Sequence, residues 1–451
     1  MSELLLVSDS TLGTRASGAP VMFQFPVADL RRHFPALDRA GDFIFFDNAA
    51  GAQVPAEVLA AVIDHLVARN VQRGGPYGRS REVDAMIVRA RESVAAFLNG
   101  PGPDSIAFGL NATAFIRSIS LAVGQTLGDR PEIVVSDADH EANIATWLAL
   151  ERVGARIVWW PVRDDGRLHT VDLDALLSER TKLVACTVAT NATGSLVDVV
   201  DVARRAHRVG AEVFLDAVHY APHGPIDIQA LNCDFLVCSG YKIFAPHMGF
   251  AWCRQQSMRR LPTFREDFIP DEMPYKLEAG TYAYENVAGM DAAVNYLAAI
   301  GSTVPADQIG HDVDKPFSNP GSTASQCRRG MEAIAAYERT LSAAMLDALQ
   351  SIEGLTVHGV TDRARLDERV PTFAFTVEGV ESSWIANTLA ELNIGVRSGH
   401  MYSPRLLTRL GLMPGGAVRA SLVHYNTVEE IARFRDALTQ TMENWRRAQD
   451  P

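Results

Sequence analysis

Between about Ala56 and Ala299 the sequence alternates short, β-rich apolar runs with helix-like stretches, and few folds accommodate that rhythm. The runs are Glu132-Ile133-Val134-Val135, Ile157-Val158-Trp159-Trp160, Leu183-Val184-Ala185-Cys186-Thr187-Val188, Val213-Phe214-Leu215 and Phe235-Leu236-Val237. A strand with one wet face would alternate polar and apolar residues, so runs that are apolar throughout predict buried, mainly parallel strands. Stretches such as 200–209 are then the helices that cover the sheet as crossovers. The pattern predicts an α/β fold whose functional residues gather at the strand ends.

The rhythm stops at Gly301. From there to Gln326 the chain is rich in Gly, Pro, Ser, Thr and Asp without a period, which predicts an insertion or linker. A helical segment (331–350), a strand-like run (Thr372-Phe373-Ala374-Phe375-Thr376) and a closing helix (428–446) follow, as expected of a smaller α+β domain. The predicted organisation is an N-terminal extension over 1–30, a large domain over 31–300 whose first segment packs on the small one, an irregular insertion over 301–328, and the small domain over 329–451.

A chain of 451 residues with 47% hydrophobic and 21% charged residues has enough apolar side chains to bury sizeable cores. Its net charge of −12 excludes a general nucleic-acid binder, which needs a basic stripe for phosphates. The five cysteines (Cys186, Cys233, Cys238, Cys253, Cys327) are scattered and odd in number, so neither a disulfide framework nor a metal pair is expected. A reducing cytoplasm is the expected compartment. Leu4-Leu5-Leu6-Val7 lacks a basic lead-in and a long apolar run, so no signal peptide is read there, and no stretch approaches the roughly 20 apolar residues of a membrane span.

Lys242 follows the run 235–237 in Ser239-Gly240-Tyr241-Lys242. A lysine at a buried strand end loses part of its preference for the charged form, which is what a nucleophilic amine needs. Alone, such a lysine is more often a surface lysine. One strand earlier, Glu212-Val213-Phe214-Leu215 ends in Asp216, which alone could cap a turn. Together, an amine and a carboxylate on consecutive strand ends suit pyridoxal phosphate (PLP), whose aldehyde bonds a lysine and whose pyridine nitrogen needs a carboxylate to stay protonated.

Seven segments in order carry a family resemblance. They are Phe46-Asp47-Asn48-Ala49-Ala50-Gly51, Asp139-His140-Glu141-Ala142-Asn143, Thr190-Asn191-Ala192-Thr193-Gly194, Asp216-Ala217-Val218-His219, Ser239-Gly240-Tyr241-Lys242, Glu278-Ala279-Gly280-Thr281, and Arg419 through Thr427. The chain resembles the class V aminotransferase superfamily, in its cysteine desulfurase and selenocysteine lyase-like branch. That implies the PLP-dependent transferase fold of type I, an amino-acid substrate and a homodimer.

The resemblance implies roles residue by residue. Lys242 would bond the cofactor, Asp216 hold its pyridine nitrogen and His140 stack on its ring. Asn191 and His219 would reach its phenolic oxygen or the substrate carboxylate. Relatives usually carry Gln where His219 stands, and a protonated His219 would stabilise the phenolate and retune the lysine-bound cofactor. Ala112 and Thr113, opening a helix, would hold the phosphate with Ser239 and Tyr241. Thr281 would complete that phosphate cup on the partner subunit, and Arg419 would clamp the substrate carboxylate. Arg79 and Arg397 are weaker candidates for substrate contacts.

The sequence departs from the family in the loop Arg397-Ser398-Gly399-His400-Met401-Tyr402-Ser403-Pro404. Relatives that begin this loop with Arg-x-Gly-His place a cysteine about where Tyr402 stands, and use it to take sulfur from the substrate as a persulfide. Without it, the leading expectation is β-elimination of a carbon–sulfur lyase type. Transamination, decarboxylation or replacement at the β-carbon, epimerisation, and a non-enzymatic sulfur-carrier scaffold are the alternatives. The side chain of the substrate would be read by loops near 74–80, 301–326 and 401–405.

Overall fold

The computed structural model describes residues 24–305 and 321–449. Among these, seven strands form one sheet in the order Ile106–Gly109, Gly249–Cys253, Phe235–Ser239, Glu212–Asp216, Thr181–Thr187, Glu132–Ser136, Arg156–Trp160. The last five pair in parallel, and Gly249–Cys253 runs antiparallel to both its neighbours. The apolar runs are strands because both faces are covered: Val134, Val184, Leu215 and Leu236 enter one core, while Ile133, Leu183, Phe214 and Phe235 enter another on the opposite face.

Three readings of the sequence are corrected here. The run 157–160 is the sheet edge, where Arg156 and Trp159 are exposed, so it is not buried on both faces. The two strands Ile106–Gly109 and Gly249–Cys253 were not anticipated, because glycine and alanine dilute their apolar signal. Residues 301–328 are not one irregular insertion. Helix Tyr284–Thr303 runs into it and helix Thr323–Gln350 begins inside it, while 306–320 lie outside the described residues.

Helix Thr323–Gln350 also crosses the expected boundary at 329. Its first half places Cys327, Met331 and Ile334 in the core of the large sheet, and its second half places Leu341, Met345 and Leu349 in the core of the small one. Contact with helix Tyr284–Thr303 is close enough to demand glycine: a Cβ on Gly330 would lie 2.3 Å from the Leu297 carbonyl oxygen. One rigid rod therefore enters both cores.

The small sheet has four antiparallel strands in the order Arg397–Gly399, Ala417–Ser421, Thr372–Val377, Leu355–His358. Helices Ser382–Glu391 and Val428–Gln449 pack over it. The chain start joins this region, since Ile44–Phe45 pairs in parallel with Ile394–Gly395. Of the expected extension over 1–30, residues 1–23 lie outside the described part, and the remainder already begins helix Val27–Arg31.

Candidate active site

Two adjacent parallel strands set the centre. Glu212–Asp216 ends on Asp216, and its neighbour Phe235–Ser239 turns through one 3-10 turn onto Lys242. Around them a pocket is lined by Lys242, Asp216, His140, His219, Asn191, Ala112, Thr113, Ser239 and Tyr241, together with Thr187, Val218 and two further apolar residues. Nine of the residues expected from the sequence are thus brought to one cavity. Arg419 and Thr281 do not line it.

Burial sets the electrostatics. The Lys242 amine is lowered to about 8, chiefly by desolvation and then by the positive charge of Arg419, with Asp216 acting the other way. Its Nζ makes no hydrogen bond among the described residues and lies 5.9 Å from the centre of the Tyr241 ring. Burial raises the Asp216 carboxyl, while the Val218 amide at 2.9 Å and Lys242 oppose that. His140 is lowered to about 4 by desolvation, Lys242 and Arg419, so its ring is neutral at physiological pH. Its Nδ1 accepts the Ala142 amide at 3.0 Å, which leaves the hydrogen of the neutral ring on Nε2.

The residues fit pyridoxal phosphate on two observations. Asn111 caps helix Ala112–Gly124 by accepting the Ala114 amide at 2.9 Å, and the first two residues of that helix, Ala112 and Thr113, line the pocket. Gly249 lets that helix start press onto the sheet, since a Cβ there would meet the Ala112 nitrogen at 2.7 Å. The second observation is His219, which lines the pocket and whose buried Nδ1 has no hydrogen-bond partner among the described residues. A buried polar atom of this kind is available to a ligand group or an ordered water.

The small sheet supplies the roof. Arg419 is buried and gives one guanidinium nitrogen to the Asn191 carbonyl at 2.9 Å and another to Asp47 at 3.0 Å, while its Nε has no partner. Arg397 takes the same Asp47 carboxylate through three contacts of 2.7–3.2 Å. Two arginines therefore share one acid and leave a net positive charge at the roof. Asp47 was quoted in the sequence motif without a role, and its charge was the signal that could have marked it.

Asn191 is corrected in part. Its amide donates to the Met401 carbonyl at 2.7 Å and accepts from the Ser403 hydroxyl at 2.8 Å, so half of its hydrogen-bonding capacity belongs to the loop. The loop is held further by the Glu141 amide on the Tyr402 carbonyl at 2.8 Å and by the Tyr402 amide on His400 at 3.0 Å. Met401 and Tyr402 both have left-handed backbone, with φ of 47° and 59°. That conformation costs about 1–2 kcal/mol for each residue and persists only where contacts impose it. Tyr402 is 59% exposed, and its ring sits 5.7 Å from the His140 ring.

Asp139 was also missed as a site residue. Buried beside the pocket, its carboxyl is raised to about 7 by desolvation, against the pull of Ser136 and Asn143. Asn143 donates to it at 2.7 Å and in turn accepts from Trp147 at 3.0 Å, which fixes the segment that presents His140. Thr281 is exposed and accepts from Gln72 at 2.8 Å, outside its own pocket. Arg79 is a surface residue paired with Glu82 at 2.9 Å.

The chain is similar to known proteins over most of its length. The aminotransferase class-V family model matches residues 44–310 and 324–434. The chain is 33% identical to the aminotransferase-like protein FGM3 of Gibberella zeae, over 93% of this chain and 99% of that one. It is 30% identical to a probable cysteine desulfurase of Streptomyces coelicolor, over 91% and 95%. The crystal structure of the cysteine desulfurase CsdA from Escherichia coli superposes with a TM-score of 0.77 at 26% identity, covering 93% of this chain and 99% of that one.

Proposed function

This chain belongs to the class-V aminotransferase family, whose enzymes use pyridoxal phosphate, and from that premise we propose that it is a carbon–sulfur lyase-type enzyme. In this reading it eliminates a leaving group from the β-carbon of an α-amino acid without passing sulfur through a cysteine. What supports it is that the loop 397–404, where the family resemblance expects a thiol about at Tyr402, holds no cysteine, and that all five cysteines are buried. Burial pushes every one of those thiols up, Cys327 to about 12 and the other four further, away from the thiolate that would attack sulfur.

The residues divide the work. Arg419, oriented by Asp47, attracts the substrate carboxylate to the roof, and Arg397 adds to the positive field there. Lys242 lies on the pocket floor with an amine already near neutrality, suited to hold the cofactor and to take the proton from the substrate α-carbon. Bound pyridoxal phosphate supplies an electron sink, for which Asp216 holds the proton on the pyridine nitrogen. His140, neutral with its hydrogen on Nε2, covers one face of the cavity. The helix start at Ala112 and Thr113, with Ser239 and Tyr241, anchors the phosphate. Thr281 would complete the phosphate cup of a second copy in a homodimer, a role supported by its exposure outside its own pocket. The unpaired thiols suit the cytoplasm.

The test is to mix the holoenzyme with a panel of amino acids and follow pyruvate, ammonia, sulfide and the pyridoxamine form together. Pyruvate and ammonia in equal amounts, with no persulfide on any cysteine by mass spectrometry, is the expected result. Accumulation of the pyridoxamine form would make the protein a transaminase instead. Persulfide on a cysteine would return it to desulfurase chemistry.

A further inference from the structure

His219 stands where the large and small sheets meet. Its Nε2 lies 3.1 Å from the hydroxyl of Thr372, the first residue of strand Thr372–Val377 in the small sheet. The residue lines the pocket, and its buried Nδ1 has no partner among the described residues. Against this imidazole stands His223, with ring centres 5.5 Å apart and planes at 72°. His223 Nδ1 is in turn 2.8 Å from the Glu338 carboxylate, on the helix that enters both cores.

A neutral imidazole has one donor and one acceptor nitrogen, and the bond made by one fixes the role of the other. The Thr372 hydroxyl makes no other hydrogen bond among the described residues, so it is free to donate to Nε2. A hydroxyl that donates there puts the ring hydrogen on Nδ1, and one that accepts puts it on Nε2. An imidazolium would reverse the Thr372 bond and add a charge to surroundings already cationic. The charged groups around His219 are Lys242 and Arg419, with Asp216 on the floor and Asp47 at the roof, and His223 backed by Glu338. Desolvation first, then Lys242, His223 and Arg419, hold the His219 imidazole well below its ordinary range.

We propose that Thr372 and the His223–Glu338 pair are positioning residues that keep His219 a neutral imidazole with its hydrogen on Nδ1, presenting one uncharged donor to the phenolic oxygen of the cofactor. The proposal rests on the pyridoxal-phosphate reading. It replaces the expectation that a protonated His219 retunes the cofactor: the histidine stands in for the amide N–H of a glutamine and brings no charge.

The test uses the full chain with ¹⁵N-labelled histidine, first without cofactor, and the His219 signals assigned by their loss in His219→Gln. The wild type is expected to show a neutral ring protonated on Nδ1 that does not titrate across roughly pH 5–8. Thr372→Val is expected to mix the two tautomers and Thr372→Ser to restore one. His223→Gln is expected to raise the His219 titration midpoint, and an unmoved midpoint overturns the role given to the His223–Glu338 pair. An imidazolium at neutral pH in the wild type, or an unchanged tautomer in Thr372→Val, overturns the proposal.

Should Thr372→Val fail to fold, the holoenzyme gives a second measurement through the pH titration of its visible absorbance. The midpoints of wild type and His219→Gln are expected to coincide, whereas a shift of a pH unit or more between them overturns the proposal. A holoenzyme with no visible band at all would refute the pyridoxal-phosphate reading, and the ring states seen without cofactor would still decide the assignment of Thr372 and His223.

Discussion

The floor and the roof of the pocket are built on opposite terms. On the floor, Lys242 Nζ makes no hydrogen bond among the described residues, His219 Nδ1 is buried unpaired, and burial moves Lys242, Asp216 and His140 from their ordinary ranges. On the roof, Arg397 and Arg419 are both on Asp47, with the Arg419 Nε left unpaired, and the loop from His400 to Ser403 is bonded to Glu141, Asn191 and itself. Unsatisfied buried groups carry chemistry because a ligand completes them. A loop already bonded at each turn serves as a wall. The difference teaches that the reactive groups are on the large sheet, while the small sheet supplies charge and shape.

The comparison is broken most severely at the floor. Lys242→Ala is expected to lower turnover by about 10²–10⁴-fold or more, since both amine and base are lost. Borohydride reduction followed by mass spectrometry should then no longer find the cofactor on this position. Asp216→Asn is expected to cost about 10²-fold, the lower end for a group that holds a proton in place, with the cofactor still bound. Steady-state kinetics with a cofactor-binding measurement separates the two.

The pH behaviour of Lys242 sharpens the same contrast. The free amine is the form that attacks the cofactor aldehyde, and it is present above a midpoint of about 8 instead of the ordinary value of 10.5. Cofactor attachment to the stripped protein is therefore expected to speed up about tenfold per pH unit below that point and to level off above it. Stopped-flow absorbance between neutral and alkaline pH measures this. A rate still climbing near the ordinary lysine value would show that burial does not set the floor.

Changes at the roof are expected to be smaller. Ser403→Ala leaves the Asn191 oxygen buried without its donor, at a cost of about 1–3 kcal/mol. Amide hydrogen exchange over 400–403 should accelerate, with only a modest fall in kcat. Tyr402→Phe removes a hydroxyl that has no partner among the described residues, so kcat/KM is expected to change by less than about twofold, the range of ordinary surface substitutions. A larger loss would move Tyr402 from wall to participant.

The sequence was most legible where chain direction fixes geometry. A lysine and an aspartate at the ends of consecutive apolar runs come together because parallel strands bring their carboxyl ends to one edge. His140 follows strand Glu132–Ser136 by the same logic, whereas Ala112 and Thr113 follow a strand that the apolar pattern did not reveal. The edge strand at 156–160 misled because an apolar run reads alike whether or not a neighbour covers it. Helix Thr323–Gln350 misled because its first turn, Thr323-Ala324-Ser325-Gln326, looks like the polar stretch before it.

By itself the sequence determined the α/β order, the Lys242–Asp216 pair and the absence of a cysteine from the loop at 397–404, since each is a property of residues in series. Only the tertiary structure decided that Asp47 joins two arginines, that Asn191 is shared with the loop, and that Thr372 and His223 confine His219. Asp47 is 372 residues from Arg419, and His219 is 153 from Thr372. Pairs so far apart leave no period or spacing in the chain, and only the packing of the two sheets against one helix brings them within hydrogen-bonding reach.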